Sequence, residues 1–142
     1  MKSYMSSETV EISRKSFNRC AESADFFQAF YRNLFKVLPA AEPLFANTDL
    51  LRQGKLLEHA IKILHLFPLQ PPGEPTLLTR LAKKHGRDQL AIDPSWYPIF
   101  FDTLIVTASQ FDPDFSSEVE LAWRETLRPG FDYMRHWDRD LG

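Results

Sequence analysis

The apolar residues of this chain recur at intervals of three and four, and nowhere in sustained alternation. That period places side chains on one face of an α-helix, whereas a half-buried strand would need a period of two. No Asn-Gly or Asp-Gly hairpin and no internal repeat breaks the pattern. The breaks that do occur are Pro and Asp/Ser/Thr, the residues that start and stop helices of about ten to twenty residues. The expected fold class is therefore all-α.

Six helices follow from this reading. The first runs from about Glu8 to Ala21, with Val10, Phe17 and Ala21 on one face. The second runs from about Asp25 to Val37 and carries the stripe Phe27, Phe30, Tyr31, Leu34 and Leu38. Pro39 ends it, since proline lacks the N–H a helix interior needs. The stretch to Asp49 reads as an irregular corner with Leu44–Phe45 at its apolar centre. A third helix, capped by Asp49 and reaching about Phe67, has leucines on more than one side and should be packed on both. Residues 68–75, PLQPPGEP, read as an extended, exposed connector. The fourth helix is short, Thr76 to about His85, with Gly86 as its stop. The fifth should start with Asp93 as N-cap and Pro94 at the first helical position, and carries Tyr97, Phe100, Phe101, Leu104, Ile105, Ala108 and Phe111. The last opens with Ser117 and Glu120 at capping-box spacing and presents Val119, Trp123, Leu127, Gly130 and Met134. Pro129 lies inside it and should kink or loosen it.

Length and composition narrow the function classes. At 142 residues the chain reads as one domain, 1–142, long enough to bury a core. Aromatic residues make up 13%, twelve of them Phe, which suits a large core or a pocket with flat apolar walls. A net charge of −2 gives no general attraction to nucleic acid or an anionic membrane. The single cysteine, Cys20, excludes an internal disulfide and points to a reducing compartment, here the cytoplasm. No stretch reads as a signal peptide or a membrane span.

Most familiar catalytic motifs are missing. The sequence has no phosphate-binding glycine loop, no CxxC pair and no HExxH. His59 and His65 are about 240° apart around a helix and cannot share a metal from one face. The basic run Lys83–Arg87 suits a solvated helix C-terminus. Three features remain. His85 ends a helix whose face carries Leu77, Leu78 and Leu81. Gln53, Leu57, Ala60 and Leu64 lie within about 40° of one line on the third helix, placing a polar residue on an apolar face. Tyr31 sits on the apolar stripe of the second helix, where a core tyrosine bonded to some carbonyl is the plainer account.

Together these segments resemble the globin family, in particular the single-domain bacterial haemoglobins and the haem domains of flavohaemoglobins. The resemblance covers roughly Phe17 to Tyr133. FYRNLF (30–35) looks like the second-helix segment, with Tyr31 over the haem. Pro39 and PLF (43–45) look like the corner, with Phe45 as the haem-stacking phenylalanine. RQGK (52–55) looks like the distal segment, with Gln53 at the distal position. Leu78–Leu81–His85 looks like the proximal helix, YPI (97–99) like the start of the next, and Trp123 like the usual tryptophan of the last.

What the resemblance implies is a globin fold, with helices in a two-layer arrangement around a haem pocket. It implies haem b held by His85 as the proximal iron ligand, five-coordinate and open to reversible binding of dioxygen, nitric oxide or carbon monoxide. Tyr31 and Gln53 would stabilise the bound gas, and Leu57 would control access beside it. Phe45, Leu81 and Phe100 would line the haem, and Lys84 and Arg87 would contact the propionates. Tyr97, with Asp138 as its carboxylate, would tune the proximal histidine. Asp138 is one methylene shorter than the glutamate it stands for, and the loop from His85 to Tyr97 is about two residues longer than in those proteins. His59 is the rival distal ligand, should the register differ. Functions that follow are oxygen binding and transport, nitric oxide dioxygenation with a separate reductase, or gas sensing through a partner.

Overall fold

The computed structural model of the protein describes residues 7–45, 49–69 and 94–141. Among the described residues there are five α-helices and no strand: α1 (Ser7–Ala21), α2 (Phe26–Val37), α3 (Leu50–Leu66), α4 (Tyr97–Phe111) and α5 (Ser117–Leu141). Three 3-10 segments join them, Pro39–Phe45, Phe67–Leu69 and Pro94–Trp96. The short helix expected from Thr76 to His85 lies outside the described residues, as does Asp93.

Helix ends show where local chemistry prevailed. Asp49 caps α3 as expected, its carboxylate accepting the Leu51 N–H at 3.0 Å. Pro39 follows α2 as expected, and the Leu38 N–H closes the last turn on the Leu34 carbonyl at 2.8 Å. Two expected starts are displaced. The cap of α5 is Ser116, whose hydroxyl accepts the Val119 N–H at 3.2 Å, so the Ser117–Glu120 capping box does not form. Pro94 opens a 3-10 turn, and the α-helix begins three residues later at Tyr97, with Pro98 in its first turn. Proline tolerates either place, because both leave its missing N–H at a helix start.

Two further expectations change. The corner is helical, a 3-10 stretch that buries Ala41 and Phe45. Pro68 is buried in a 3-10 turn rather than extended and exposed, since α3 hands directly into that turn. α5 runs unbroken through Pro129. Contacts just after the proline hold the helix in place: Phe131 stacks on Phe101 at 5.2 Å, and Tyr133 meets Phe67 at 5.5 Å.

The core forms where α1, α2 and α3 meet α4 and α5. α1 packs chiefly on α5, α2 on α4, and α3 on α2 and α5. The buried set includes Phe17, Phe26, Phe30, Leu34, Ile61, Leu104, Trp123 and Leu127. α3 is less enclosed than its leucines imply, for Leu51, Leu56 and Leu66 face outward. Where α3 crosses α2, Gly54 lets the backbones approach: a Cβ there would meet Phe27 Cβ at 3.1 Å. Among the described residues no helix is long and apolar enough to cross a membrane.

Candidate functional site

α3 leans on α2 at Gly54, and this crossing brings the neighbouring Gln53 to Tyr31. The Tyr31 phenol is buried, with the Gln53 side chain beside its hydroxyl. Burial pushes the phenol up to about 12, against a weaker opposing pull from Gln53. It therefore keeps its proton throughout the physiological range and remains a donor. Phe45, delivered by the 3-10 corner, lies 5.4 Å from the Tyr31 ring and 5.8 Å from Phe35, so the corner closes one end of the same space.

That space is a pocket with an empty volume of about 650 Å³, counted to its open mouth. Phe30, Tyr31 and Leu34 of α2 line it, and Gln53, Leu57, Ala60, Ile61 and Leu64 of α3 face them. The four residues that the sequence places on one line of α3 thus all reach it. Tyr97, Phe100 and Leu104 of α4 and Phe131 and Met134 of α5 complete the wall among the described residues. Tyr97 is buried, with its ring 6.0 Å from Phe100 and 6.3 Å from Phe131. None of the described lining residues is charged, and the polar ones are Tyr31, Gln53 and Tyr97. A pocket with these walls takes a mostly apolar ligand, oriented by a few polar groups.

Of the residues singled out in the sequence, Tyr31, Gln53, Phe45, Leu57, Tyr97 and Phe100 come together here. His85, Leu81, Lys84 and Arg87 lie outside the described residues. Asp138 belongs to α5, but its side chain is outside what the structure describes. His59 is exposed and does not line the pocket. Sequence reasoning missed Leu34, Ile61, Leu104, Phe131 and Met134 as wall residues. Leu34, Leu104 and Met134 sit on stripes that read simply as core, and Ile61 lies off the line drawn along α3. Phe131 lies off the α5 stripe, and an aromatic residue on a flank was the signal that could have found it. Among the described residues no three His, Cys, Asp or Glu side chains cluster as a metal site.

The globin family model matches residues 28–134 of this chain. A crystal structure of a Pseudomonas aeruginosa PAO1 protein, described as structurally highly homologous to a human haemoglobin, is similar to it with a TM-score of 0.83. That likeness has 28% sequence identity and covers 91% of this chain and 97% of the other. No curated protein sequence matches. The family match begins inside α2 and ends at Met134, so it takes in every element that lines the pocket, and the chain belongs to the globin family.

Proposed function

We propose that this globin binds haem b through His85 and reversibly holds dioxygen, with nitric oxide and carbon monoxide as alternative ligands. The observation that carries the reading is the Tyr31–Gln53 pair, set side by side in the wall of an otherwise apolar pocket. The residues present suit the group. Phe45, Phe100, Leu57, Leu64 and Leu104 offer flat and branched apolar surface, and no charged side chain of the described wall intrudes. When bound, haem iron supplies an open coordination position for a diatomic gas.

The protein's part is to choose and hold that gas. Tyr31 donates an O–H and Gln53 an amide N–H into the space between α2 and α3. A polar diatomic ligand that gains partial negative charge is held by such donors, at about 1–3 kcal/mol for each bond. Exclusion of water by Phe30, Leu34, Phe45 and Leu57 keeps those bonds strong. Two donors converging on one place favour slow release. Leu57, half-buried one turn beyond Gln53, limits the width beside them. Leu81 would line the proximal side, and Lys84 and Arg87 would hold the propionates.

Absorption spectra of the reduced protein, with and without carbon monoxide, test this reading. A Soret band that shifts with the gas is expected, and His85→Ala should lose most haem. Absence of such bands after haem reconstitution overturns the proposal. Tyr31→Phe and Gln53→Leu should each speed dioxygen release, by roughly 5- to 150-fold for the loss of about 1–3 kcal/mol. Unchanged release in both removes their assigned role.

Burial of Tyr97 at the pocket wall favours a second reading, nitric oxide dioxygenation. A phenol bonded to the proximal imidazole, with Asp138 behind it, would make that ligand more electron-rich. Turnover would need one electron per nitric oxide from a separate reductase. Sustained nitrate formation with a reductase, impaired in Tyr97→Phe, supports it; a single turnover alone rejects it.

A further inference from the structure

His65 is a buried titratable side chain that the pocket does not use. It lies on α3, 3% exposed, and does not line the pocket. Its Nδ1 is 2.9 Å from the Ile61 carbonyl oxygen, one turn back. A carbonyl only accepts, so Nδ1 carries the proton and Nε2 presents a bare lone pair. The Ser13 hydroxyl of α1 lies 2.8 Å from Nε2 and donates to it. The ring stacks on Phe17 of α1 at 5.9 Å and meets Trp123 of α5 nearly edge-on at 5.6 Å. One neutral imidazole thus joins α3 to both α1 and α5.

No carboxylate faces this ring among the described residues. On α1 the charge that acts on it is Arg14, which repels a cation. Arg19 is tied to Asp112, and Asp112 also holds Ser16, which accepts the Trp123 indole N–H. On α3, Glu58 and Lys62 pair with each other, and His59 is exposed. On α5, Arg124 pairs with Asp102 and Glu120. Burial, and then Arg14, hold the imidazole below its ordinary value, although the Ile61 and Ser13 backbones pull the other way.

We propose that His65 is a positioning residue that anchors α3 to α1 and α5 only while neutral, so that mild acid opens this seam and displaces the pocket wall. Ile61 and Leu64, its neighbours on α3, line the pocket, and Gln53 rides on the same helix. The seam stands on its own geometry, and its consequence for a bound gas rests on the function proposed above. Because the closed form resists the proton, the opened form takes it up first as pH falls below about 6.5. The anchor is complete above that value. It is lost as pH falls toward the depressed folded value, by up to about tenfold in the closed-to-open ratio per pH unit.

Amide hydrogen exchange along α3, corrected for intrinsic rates, tests the proposal on the purified protein between about pH 7.5 and about pH 5, relative to α4 in the same molecule. Wild-type protection should fall by up to about tenfold per unit below about pH 6.5. In His65→Gln it should show no such slope, because glutamine does not titrate. An equal slope in the variant overturns the proposal. Should the variant fail to fold, nitrogen-15 NMR of the wild-type histidines decides. A His65 Nδ1–H tautomer that titrates below the ordinary range, in step with the α3 amides, supports it. An Nε2–H tautomer, or an ordinary titration with α3 unchanged, rejects it. Neither measurement requires haem, so a chain that fails to bind haem yet shows the slope refutes only the function proposed above.

Discussion

Gly54→Ala tests whether α2 and α3 approach as closely as the pocket geometry demands. A methyl at this position would sit 3.1 Å from Phe27 Cβ and 3.3 Å from Gln28 Nε2. Gln28 offers the far end of a flexible side chain and can swing aside. Phe27 Cβ is fixed to the α2 backbone, and its ring is held by Phe17 at 6.2 Å and Phe26 at 5.1 Å. Relief to an ordinary carbon–carbon separation of about 3.5–4.0 Å means parting the two helices by about half an ångström. Two effects then compete. Alanine favours the helix by about 0.8–1.0 kcal/mol over glycine. Overpacking costs about 1–3 kcal/mol. The expected net is a loss of about 0–2 kcal/mol, a fall in Tm of up to about 8 °C for a chain of this size. Urea denaturation gives the free energy, and a changed midpoint with an unchanged slope assigns it to stability. The separation also moves Gln53, the adjacent residue, away from Tyr31. A variant stabilised by the full helix preference, about 1 kcal/mol, would show that the helices do not touch there and would refute the argument.

Other consequences are directly measurable. Asp112 accepts from Arg19 Nε at 2.6 Å, Ser16 Oγ at 2.6 Å and the Asp114 N–H at 2.9 Å. Burial opposes its charge, but these bonds together hold the carboxyl below its ordinary value. Its contribution is therefore present above about pH 4 and lost as pH falls through the folded value. Asp112→Asn should lose about 2–3 kcal/mol at neutral pH and flatten the acid limb of the stability curve, so coincident acid-unfolding profiles would contradict this account. Trp123 is fully buried and donates its indole N–H to Ser16 at 2.8 Å. Trp123→Phe should lose about 2–3 kcal/mol from the missing bond and the smaller ring, read from the urea midpoint. Burial pushes the Cys20 thiol up to about 12, and it points at the Ala108 carbonyl at 3.6 Å. Thiol reagents should label it no faster than the chain unfolds, and rapid labelling of the folded protein would refute its enclosure.

The parts of this fold legible in the sequence were those fixed by helix periodicity. The α2 stripe, the α5 stripe and the line Gln53–Leu57–Ala60–Leu64 all follow from the 3.6-residue repeat, and all face inward. Helix starts were less legible, because neighbouring residues offered equivalent chemistry. Ser116 and Ser117 are both good caps, and only the path of the chain after Phe115 selects the first. The leucines of α3 misled for a different reason. Leu56 and Leu66 have the residue type of a second buried face, but no helix covers it among the described residues. Burial depends on what lies opposite, and a stripe does not name its partner. The Tyr31–Gln53 pairing was only half legible. Each residue stood out on an apolar face, but their contact depends on the crossing at Gly54, which no local pattern encodes.

The two sides of α3 answer to different demands. The pocket face carries Gln53, Leu57, Ala60 and Leu64. The C-terminal half of α3 is held by Ile61, Ile63 and Leu64, buried in the core, and two close contacts add to that hold. Gly54 fixes the N-terminal half on α2, and His65 fixes the C-terminal end on α1 and α5. Neither contact is an extended apolar interface. One depends on the absence of a side chain, the other on an imidazole that must stay neutral. Gln53 lies in the first turn of α3, away from that buried half, so it can shift without unfolding the core around Trp123. Its contact with Tyr31 is therefore the element most sensitive to how α3 is held.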